Sequence, residues 1–239
     1  IYQVDDAKPK YYPIDPELRQ MEVGAKSSNL VGAVSGLLPL MFPETSIRYS
    51  SYSAPLGDTF LEALAPFAWS SSGWGDVGVG CHEATNEDLE SFRDILSKYL
   101  KLADAQRSKL DVPLHRLGEA ARHQNPVDKA IDLGVALESL LLSDQPEQIQ
   151  LSLQFRLRGA WLLGKDVEDR KKIYKHLKDI YNYRSSAAHS GKLTKKVADV
   201  DRARERLIEG LQLCADAIKA VIAEGEINWE DLLLGMVKT

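Results

Sequence analysis

The pattern of hydrophobic and polar positions changes near residue 85. Beyond it, apolar residues recur at helical spacing in successive segments, whereas residues 1–85 are rich in Pro, Ser, Gly and Tyr and show no sustained period. Apolar side chains at i, i+3, i+4 and i+7 are typical of helices packed on one face. We therefore expect a mainly α chain. Residues 86–239 are expected to form a helical bundle of about five main helices, and residues 1–85 an irregular extension, or the remnant of an upstream domain, with short strands.

Capping residues set the limits of the predicted helices. Thr85 and Asp88 resemble a capping box at the start of the first helix, and Pro113 is expected to interrupt the chain before a short helical piece that ends near His123. The predicted apolar stripe of the first helix is Leu89, Phe92, Leu96, Leu100 and Ala103. Later helices are predicted over 126–143, 146–164, 166–189 and 195–223, with a short one after residue 228. The predicted stripe of the last long helix is Leu207, Leu211, Cys214, Ile218 and Ile222.

The helix predicted over residues 166–189 carries an arginine where its apolar stripe would continue. Ile173, Leu177 and Ile180 occupy one face, and Arg184 falls at the next position of that face. An inward guanidinium stays charged and requires an anion or hydrogen-bond acceptors. We therefore expect Arg184 to face the core or a partner surface.

A histidine follows five residues later, at the predicted end of the same helix. His189 lies among small residues, and Gly191 is expected to terminate the helix. Histidine is the side chain best suited to proton transfer near neutral pH. Arg184 and His189 therefore form a candidate phosphodiester site. Capping of the helix by His189 is the structural alternative.

Two further Arg–His pairs show similar spacing, so position along the helices must decide between them. Arg170, with its partner His176, falls in a first helical turn beside two lysines and is expected to face solvent. Arg116, with its partner His123, lies in a segment without a clear stripe. The pair that interrupts an apolar stripe is Arg184 with His189.

Two charged residues lie inside apolar helices and are candidates for an internal network. Glu138 is surrounded by leucines, and Arg158 lies within another apolar segment. A carboxylate in such surroundings is rarely unpaired. We expect Glu138 to pair with Arg158 or Arg184, and a structural salt bridge is the favoured role for Glu138 and Arg158.

Other motifs give little support for alternative chemistry. Gly73, Gly75 and Gly78 match a dinucleotide-binding pattern by letter but lack a surrounding βαβ unit, and Cys81-His82 has no second pair at zinc-ligand spacing. We therefore expect no cofactor and no metal. Residues 47–53 resemble a strand edge, and residues 58–69 resemble a short helix broken at Pro66.

Composition points to an ordinary globular chain. Two cysteines give no disulfide framework and favour a reducing cytoplasm, and the apolar run over residues 30–42 is too short for a bilayer, so no membrane is expected. The chain opens with Ile rather than Met, which we interpret as a fragment of a longer protein.

Charge is unevenly distributed along the chain. Residues 1–85 hold 5 Lys/Arg against 10 Asp/Glu, whereas residues 165–206 hold 13 Lys/Arg against 7 Asp/Glu, a local balance of +6. A basic region around a candidate phosphate site favours nucleic acid or nucleotide as a ligand. A solvated helix face is the alternative explanation.

Three blocks of sequence together resemble the HEPN superfamily (higher eukaryotes and prokaryotes nucleotide-binding), in its Apea-like branch. They are Ala130-Ile-Asp-Leu-Gly-Val-Ala-Leu-Glu138-Ser-Leu-Leu, Arg158-Gly-Ala-Trp-Leu-Leu and Ile180-Tyr-Asn-Tyr-Arg184-Ser185-Ser-Ala-Ala-His189-Ser-Gly191. The resemblance covers residues 86–225. The family motif maps onto Arg184, His189 and Ser185, the polar residue after the arginine. Family members often have Asn, Asp or His at that polar position.

The resemblance implies a helical bundle that dimerises and brings two copies of the motif to one cleft. Many such proteins are metal-independent endoribonucleases of prokaryotic toxin–antitoxin, phage-defence and RNA-processing systems. RNA as substrate, a homodimer, and an antitoxin or larger defence complex as partner follow as expectations. Two alternatives remain: a non-catalytic RNA-binding, nucleotide-binding or dimerisation module of a larger defence protein, and an enzyme acting on free nucleotides, which only the family name supports.

Overall fold

Helices make up most of the chain in this computed structural model, which describes residues 30, 32–45, 50–53, 68–71, 83–144, 150–194 and 197–235. Seven α-helices follow one another after residue 85 in these ranges. They are α1 (Asn86–Lys101), α2 (Asp104–Arg122), α3 (Pro126–Leu141), α4 (Leu151–Leu163), α5 (Val167–Ser190), α6 (Val200–Glu224) and α7 (Trp229–Leu233). The predicted fold class, a mainly α helical bundle, is confirmed.

The region before residue 85 contributes a helical segment and a small hairpin. Residues 32–37 are helical and continue into a 3-10 turn at Leu38–Leu40. Strands β1 (Ser50–Ser53) and β2 (Ala68–Ser71) pair antiparallel. The helix predicted over residues 58–69 is wrong at its end, because residues 68 and 69 belong to β2; its remainder and residues 47–49 lie outside the described residues.

The helix caps follow the sequence closely. Thr85 Oγ1 accepts a hydrogen bond from the Asp88 amide at 3.2 Å, and Asp88 Oδ2 accepts one from the Thr85 amide at 2.9 Å, so the capping box is present. Asp166 caps α5 by accepting from the Asp169 amide at 2.8 Å. Gly191 ends α5 in the left-handed conformation at φ 64°, which glycine adopts without steric cost.

Pro113 does not interrupt the chain as predicted, because α2 runs through it without a break. A proline inside a helix removes one backbone hydrogen bond, at a cost of about 3 kcal/mol. Burial on the same helix offsets this cost: Pro113, Leu110, Leu114 and Leu117 are all buried. Tertiary packing therefore overrides the local signal.

The predicted stripe of α1 is also wrong in part. Leu89 and Leu100 are exposed, whereas Phe92 and Tyr99 are buried. Ala103 lies beyond the helix, which ends at Lys101. The tyrosine, which the apolar pattern omitted, shows that the buried face is rotated relative to the predicted one.

Three other boundaries move by a few residues. The predicted start of α4 at Pro146 lies outside the described residues, and Gln150, with φ 54°, is left-handed, so the helix begins at Leu151. Helix α3 ends at Leu141 rather than Ser143. Helix α6 begins at Val200, after a 3-10 turn, rather than at residue 195. Its predicted stripe from residue 207 to residue 222 is buried as expected.

Helix α3 lies at the centre of the bundle. It packs against α2, α4, α5 and α6, and it is buried on more than one side. Helix α5 packs against α3, α4 and α6. The turn Leu38–Leu40 packs on α2 and α6, and Leu37 and Leu40 are fully buried. The hydrophobic core therefore includes residues from before the predicted boundary at residue 85.

Three glycines allow α5 to lie unusually close to its neighbours. A Cβ placed on Gly159 of α4 would lie 2.4 Å from Leu177 Cδ1, and one on Gly210 of α6 would lie 2.9 Å from Ile180 Cδ1. On α3, a Cβ on Gly134 would lie 2.3 Å from the Arg184 Cγ and 2.7 Å from its Cβ. Successive positions of one α5 face thus each press against a glycine on a different helix.

We predict that Gly134→Ala destabilises the fold by about 1–3 kcal/mol, because the Cβ of Arg184 is fixed to the α5 backbone and cannot move aside cheaply. Gly118→Ala on α2 is the matched control. Its new Cβ would meet Pro39 Cγ at an ordinary 3.5 Å, so the higher helix propensity of alanine should stabilise the chain by about 0.5–1 kcal/mol. Urea unfolding measures both, and equal stabilities of the two variants would contradict the close contact.

Candidate functional site

Arg184 continues the buried face of α5, as the sequence predicts. Leu177 and Ile180 on this face are fully buried, and Ala187 beyond the arginine is 3% exposed. The aliphatic stem of Arg184 packs over Gly134 on α3. The guanidinium is only partly covered, since 32% of the side chain remains exposed. Its charged end therefore reaches the surface from a stem fixed in the core.

Glu138 holds this guanidinium from α3. Arg184 Nη2 donates to Glu138 Oε2 at 3.0 Å. Glu138 lies one helical turn after Gly134, so one face of α3 receives both the stem and the charge of the arginine. Burial raises the pKa of Glu138 above its usual 4.5, and the nearby positive charge of Arg184 acts in the opposite direction. Of the two partners considered for Glu138, the structure places Arg184 there.

His189 lies in the last turn of α5 and is exposed. Helix geometry places it about 140° around the axis from Arg184 and about 7.5 Å further along it, because they are five residues apart. Ser185, four residues before His189, shares its face and is partly exposed. Within one chain, His189 and Ser185 are therefore neighbours, whereas Arg184 points to a different side.

Arg158 does not join this group, because, of the two alternatives for Glu138, the structure shows Arg184, and Arg158 binds elsewhere. The Nη1 of Arg158 donates to the Leu141 carbonyl at 2.7 Å, and the guanidinium also bonds Asp144. The same group lies over the Trp229 ring, 4.8 Å from its centroid. Arg158 thus donates hydrogen bonds at the C-terminal end of α3, where the last backbone carbonyls have no donor within the helix.

The Arg116–His123 pair, which showed no clear stripe in the sequence, meets at a buried carboxylate. Asp132 Oδ1 accepts from Arg116 Nη1 at 2.8 Å, and Asp132 Oδ2 lies 2.7 Å from His123 Nε2. Asp132 is 6% exposed, so this cluster ties the end of α2 to α3. Sequence reasoning missed it. The signal was the same as for Glu138, a carboxylate inside an apolar helix.

Arg170 and His176 also make contacts within the bundle that their positions in the sequence did not indicate. The Arg170 guanidinium stacks over Trp161 at 3.8 Å from the ring centroid, and its Nε donates to the Gly164 carbonyl at 3.1 Å. The expectation that Arg170 faces solvent is therefore wrong. His176 is buried, and its Nε2 lies 2.8 Å from the Arg206 carbonyl. Both side chains are held by contacts within the bundle.

Neither a metal centre nor a membrane-spanning helix is found in the described ranges. In those ranges, no group of three or more His, Cys, Asp or Glu side chains is arranged to hold a metal ion. The helices in the described part of the chain are too short or too polar to cross a membrane. The glycine pattern at residues 73–78 and the Cys81-His82 pair lie outside the described residues.

No family model matches this chain, and comparisons with curated proteins and with solved structures found no significant match. The interpretation of the site consequently depends on the residues themselves.

We predict that Glu138 makes the fold less stable as the pH rises. The folded chain holds the Glu138 proton more tightly than the unfolded chain, because burial raises its pKa. The contribution of Glu138 to the free energy of unfolding is therefore complete below pH 4.5 and is lost as the pH rises through the raised pKa of the folded state. Urea unfolding of wild type and Glu138→Gln from about pH 4 to about pH 7 should show the difference, wild type minus variant, declining.

Substitution of Arg184 supplies the control for this measurement. Arg184→Met removes the charge that opposes the effect of burial, so the decline attributable to Glu138 should become larger in that background. A difference that increases with pH, or that Arg184→Met leaves unchanged, would contradict the assigned electrostatics.

Proposed function

We propose that this chain is a metal-independent endoribonuclease of the HEPN type that acts as a homodimer. One observation carries the proposal: the same end of α5 presents an exposed His189 and a partly exposed guanidinium, that of Arg184, which Glu138 and Gly134 hold in place. A proton-transfer group and a fixed cation are the two functions that RNA cleavage requires.

RNA supplies its own nucleophile in the 2′-hydroxyl, which DNA lacks. His189 takes the proton of this hydroxyl while the 2′ oxygen forms a bond to the adjacent phosphorus. The bond from phosphorus to the 5′ oxygen then breaks, and the leaving oxygen receives a proton from a second histidine. Arg184 stabilises the negative charge that accumulates on the phosphate oxygens. The products are a 2′,3′-cyclic phosphate and a 5′-hydroxyl.

The divergence of the two side chains supports the requirement for two copies. Arg184 and His189 leave α5 in directions about 140° apart, so a single chain directs them to different places. A second copy across a shared groove would supply the second histidine, His189 of the partner subunit. Acid and base functions are then divided between two chains. The resemblance further suggests a toxin or defence system, with an antitoxin or a larger defence complex as partner.

A second candidate function has one observation in its favour. The Arg184 guanidinium is already paired with Glu138 at 3.0 Å, as a purely structural cation would be. This favours a non-catalytic RNA-binding, nucleotide-binding or dimerisation module. Such a module would bind RNA or nucleotide, or self-associate, without cleaving RNA at any protein concentration.

We predict that His189→Ala lowers RNA cleavage by about 10²–10⁴-fold, the usual contribution of a general acid or base. His189 is exposed, so the free energy of unfolding should change by no more than about 0.5 kcal/mol. Cleavage of a labelled RNA, with identification of the cyclic phosphate product, measures the first effect, and urea unfolding measures the second.

His115→Ala provides the matched control, because His115 is an exposed histidine on α2, away from the motif. It should cleave RNA at the wild-type rate. Cleavage per chain should also rise with protein concentration over the range in which light scattering detects a dimer. Unchanged cleavage by His189→Ala would refute the nuclease assignment, and cleavage by a protein that stays monomeric would refute the shared groove.

A further inference from the structure

A row of exposed side chains runs along α5 towards His189. Lys171, Lys175, Lys178 and Asn182 are all exposed, and so is the histidine. Their spacings of four, three, four and seven residues return to the same side of a helix. These five residues, called the lysine row here, share one face over about 27 Å at 1.5 Å per residue.

The middle of the lysine row carries positive charge that is not paired in a salt bridge within the part of the chain that the structure describes. Many surface cations of the described chain pair with a nearby acid on the same helix, as Lys98 does with Asp94 at 2.7 Å and Lys171 with Glu168 at 2.7 Å. In the ranges described, Lys175 and Lys178 form no salt bridge.

The nearest acid along the helix does not neutralise this charge. Asp179 follows Lys178 directly, but its Oδ2 lies 3.9 Å from the Arg206 Nε on α6. Helix α5 as a whole carries six Lys/Arg and three Asp/Glu. Three of the six cations, Lys171, Lys175 and Lys178, lie on the face that leads to His189.

We propose that the lysine row binds the sugar–phosphate backbone of single-stranded RNA and guides it to His189; this inference rests on the proposed function. At about 3.4 Å per phosphate along a strand, the row spans roughly eight nucleotides. Apart from the imidazole of His189 at its end, the row offers ammonium and amide donors and no ring on which a base would stack. Recognition should therefore depend on phosphate charge and not on base sequence.

The test measures RNA binding as a function of salt. Fluorescence anisotropy of an unstructured oligouridylate of roughly twelve nucleotides is recorded with full-chain His189→Ala, in which cleavage is slow, and with the same protein carrying Lys175→Gln and Lys178→Gln. Each phosphate neutralised on a single strand contributes about 0.7 to the slope of log K against log salt. We expect the double substitution to lower the slope by about 1.4. Single-stranded DNA of the same length should show the same loss, because its backbone phosphates are equivalent.

Lys101→Gln with Lys109→Gln, exposed lysines on α1 and α2, makes the same change of charge elsewhere and should leave the slope unchanged. An equal slope with and without Lys175 and Lys178, or an equal loss in the control pair, would overturn the lysine row while leaving the nuclease proposal intact. A slope lowered by the lysine substitutions, together with a wild-type chain that cleaves no RNA, would retain the lysine row and refute the nuclease. Failure to bind RNA at all would refute both.

Discussion

The close packing of α5 against three glycines is the constraint on which the candidate site depends. Gly159, Gly210 and Gly134 come from α4, α6 and α3, and each receives one side chain from the same face of α5. Two of those side chains are core residues, and the third is Arg184. The arginine is therefore positioned by the same contacts that hold the bundle together. Closely packed protein interiors resist small deformations, so the stem of the Arg184 side chain is held rigidly.

Charge at the site is balanced but not sealed from solvent. Arg184 and Glu138 are 32% and 23% exposed, so each loses part of its hydration without losing all of it. Fully burying such a pair would carry a desolvation penalty that the mutual attraction often fails to repay. At the half-buried position, an incoming anion would share the guanidinium with Glu138. The pair thus keeps a cation oriented at the surface in the absence of a ligand.

The sequence predicts features that depend on local chemistry. The caps at Thr85, Asp166 and Gly191, and the inward position of Arg184, follow from side-chain type and helical period. Continuous α2 could not be predicted, because the burial that holds Pro113 in place comes from other helices. The same limit applies to Arg158, whose partners lie at the far end of α3 and on α7.

For charge pairs across the bundle, too, the sequence shows which residue needs a partner but not which partner it finds. The sequence identifies Glu138 as a carboxylate in need of a cation, but it offers two arginines at comparable positions. Only the approach of α3 to α5 at Gly134 decides between them. Asp132 is also a carboxylate inside an apolar helix, yet its partners are Arg116 on α2 and His123 just after the end of α2. Pairings across the bundle depend on interhelical distances that no helical period encodes.

The burial of Leu37 and Leu40 affects the order in which the chain acquires its structure. The turn that contains Leu40 packs on α6, whose first residue, Val200, is 160 positions later. Contacts of such long sequence separation close slowly, because the entropy of a large loop is lost before any contact is gained. During synthesis, these leucines leave the ribosome well before the surface that covers them exists. At that stage the apolar segment with Leu37 and Leu40 is exposed, and exposed apolar segments are binding targets for chaperones.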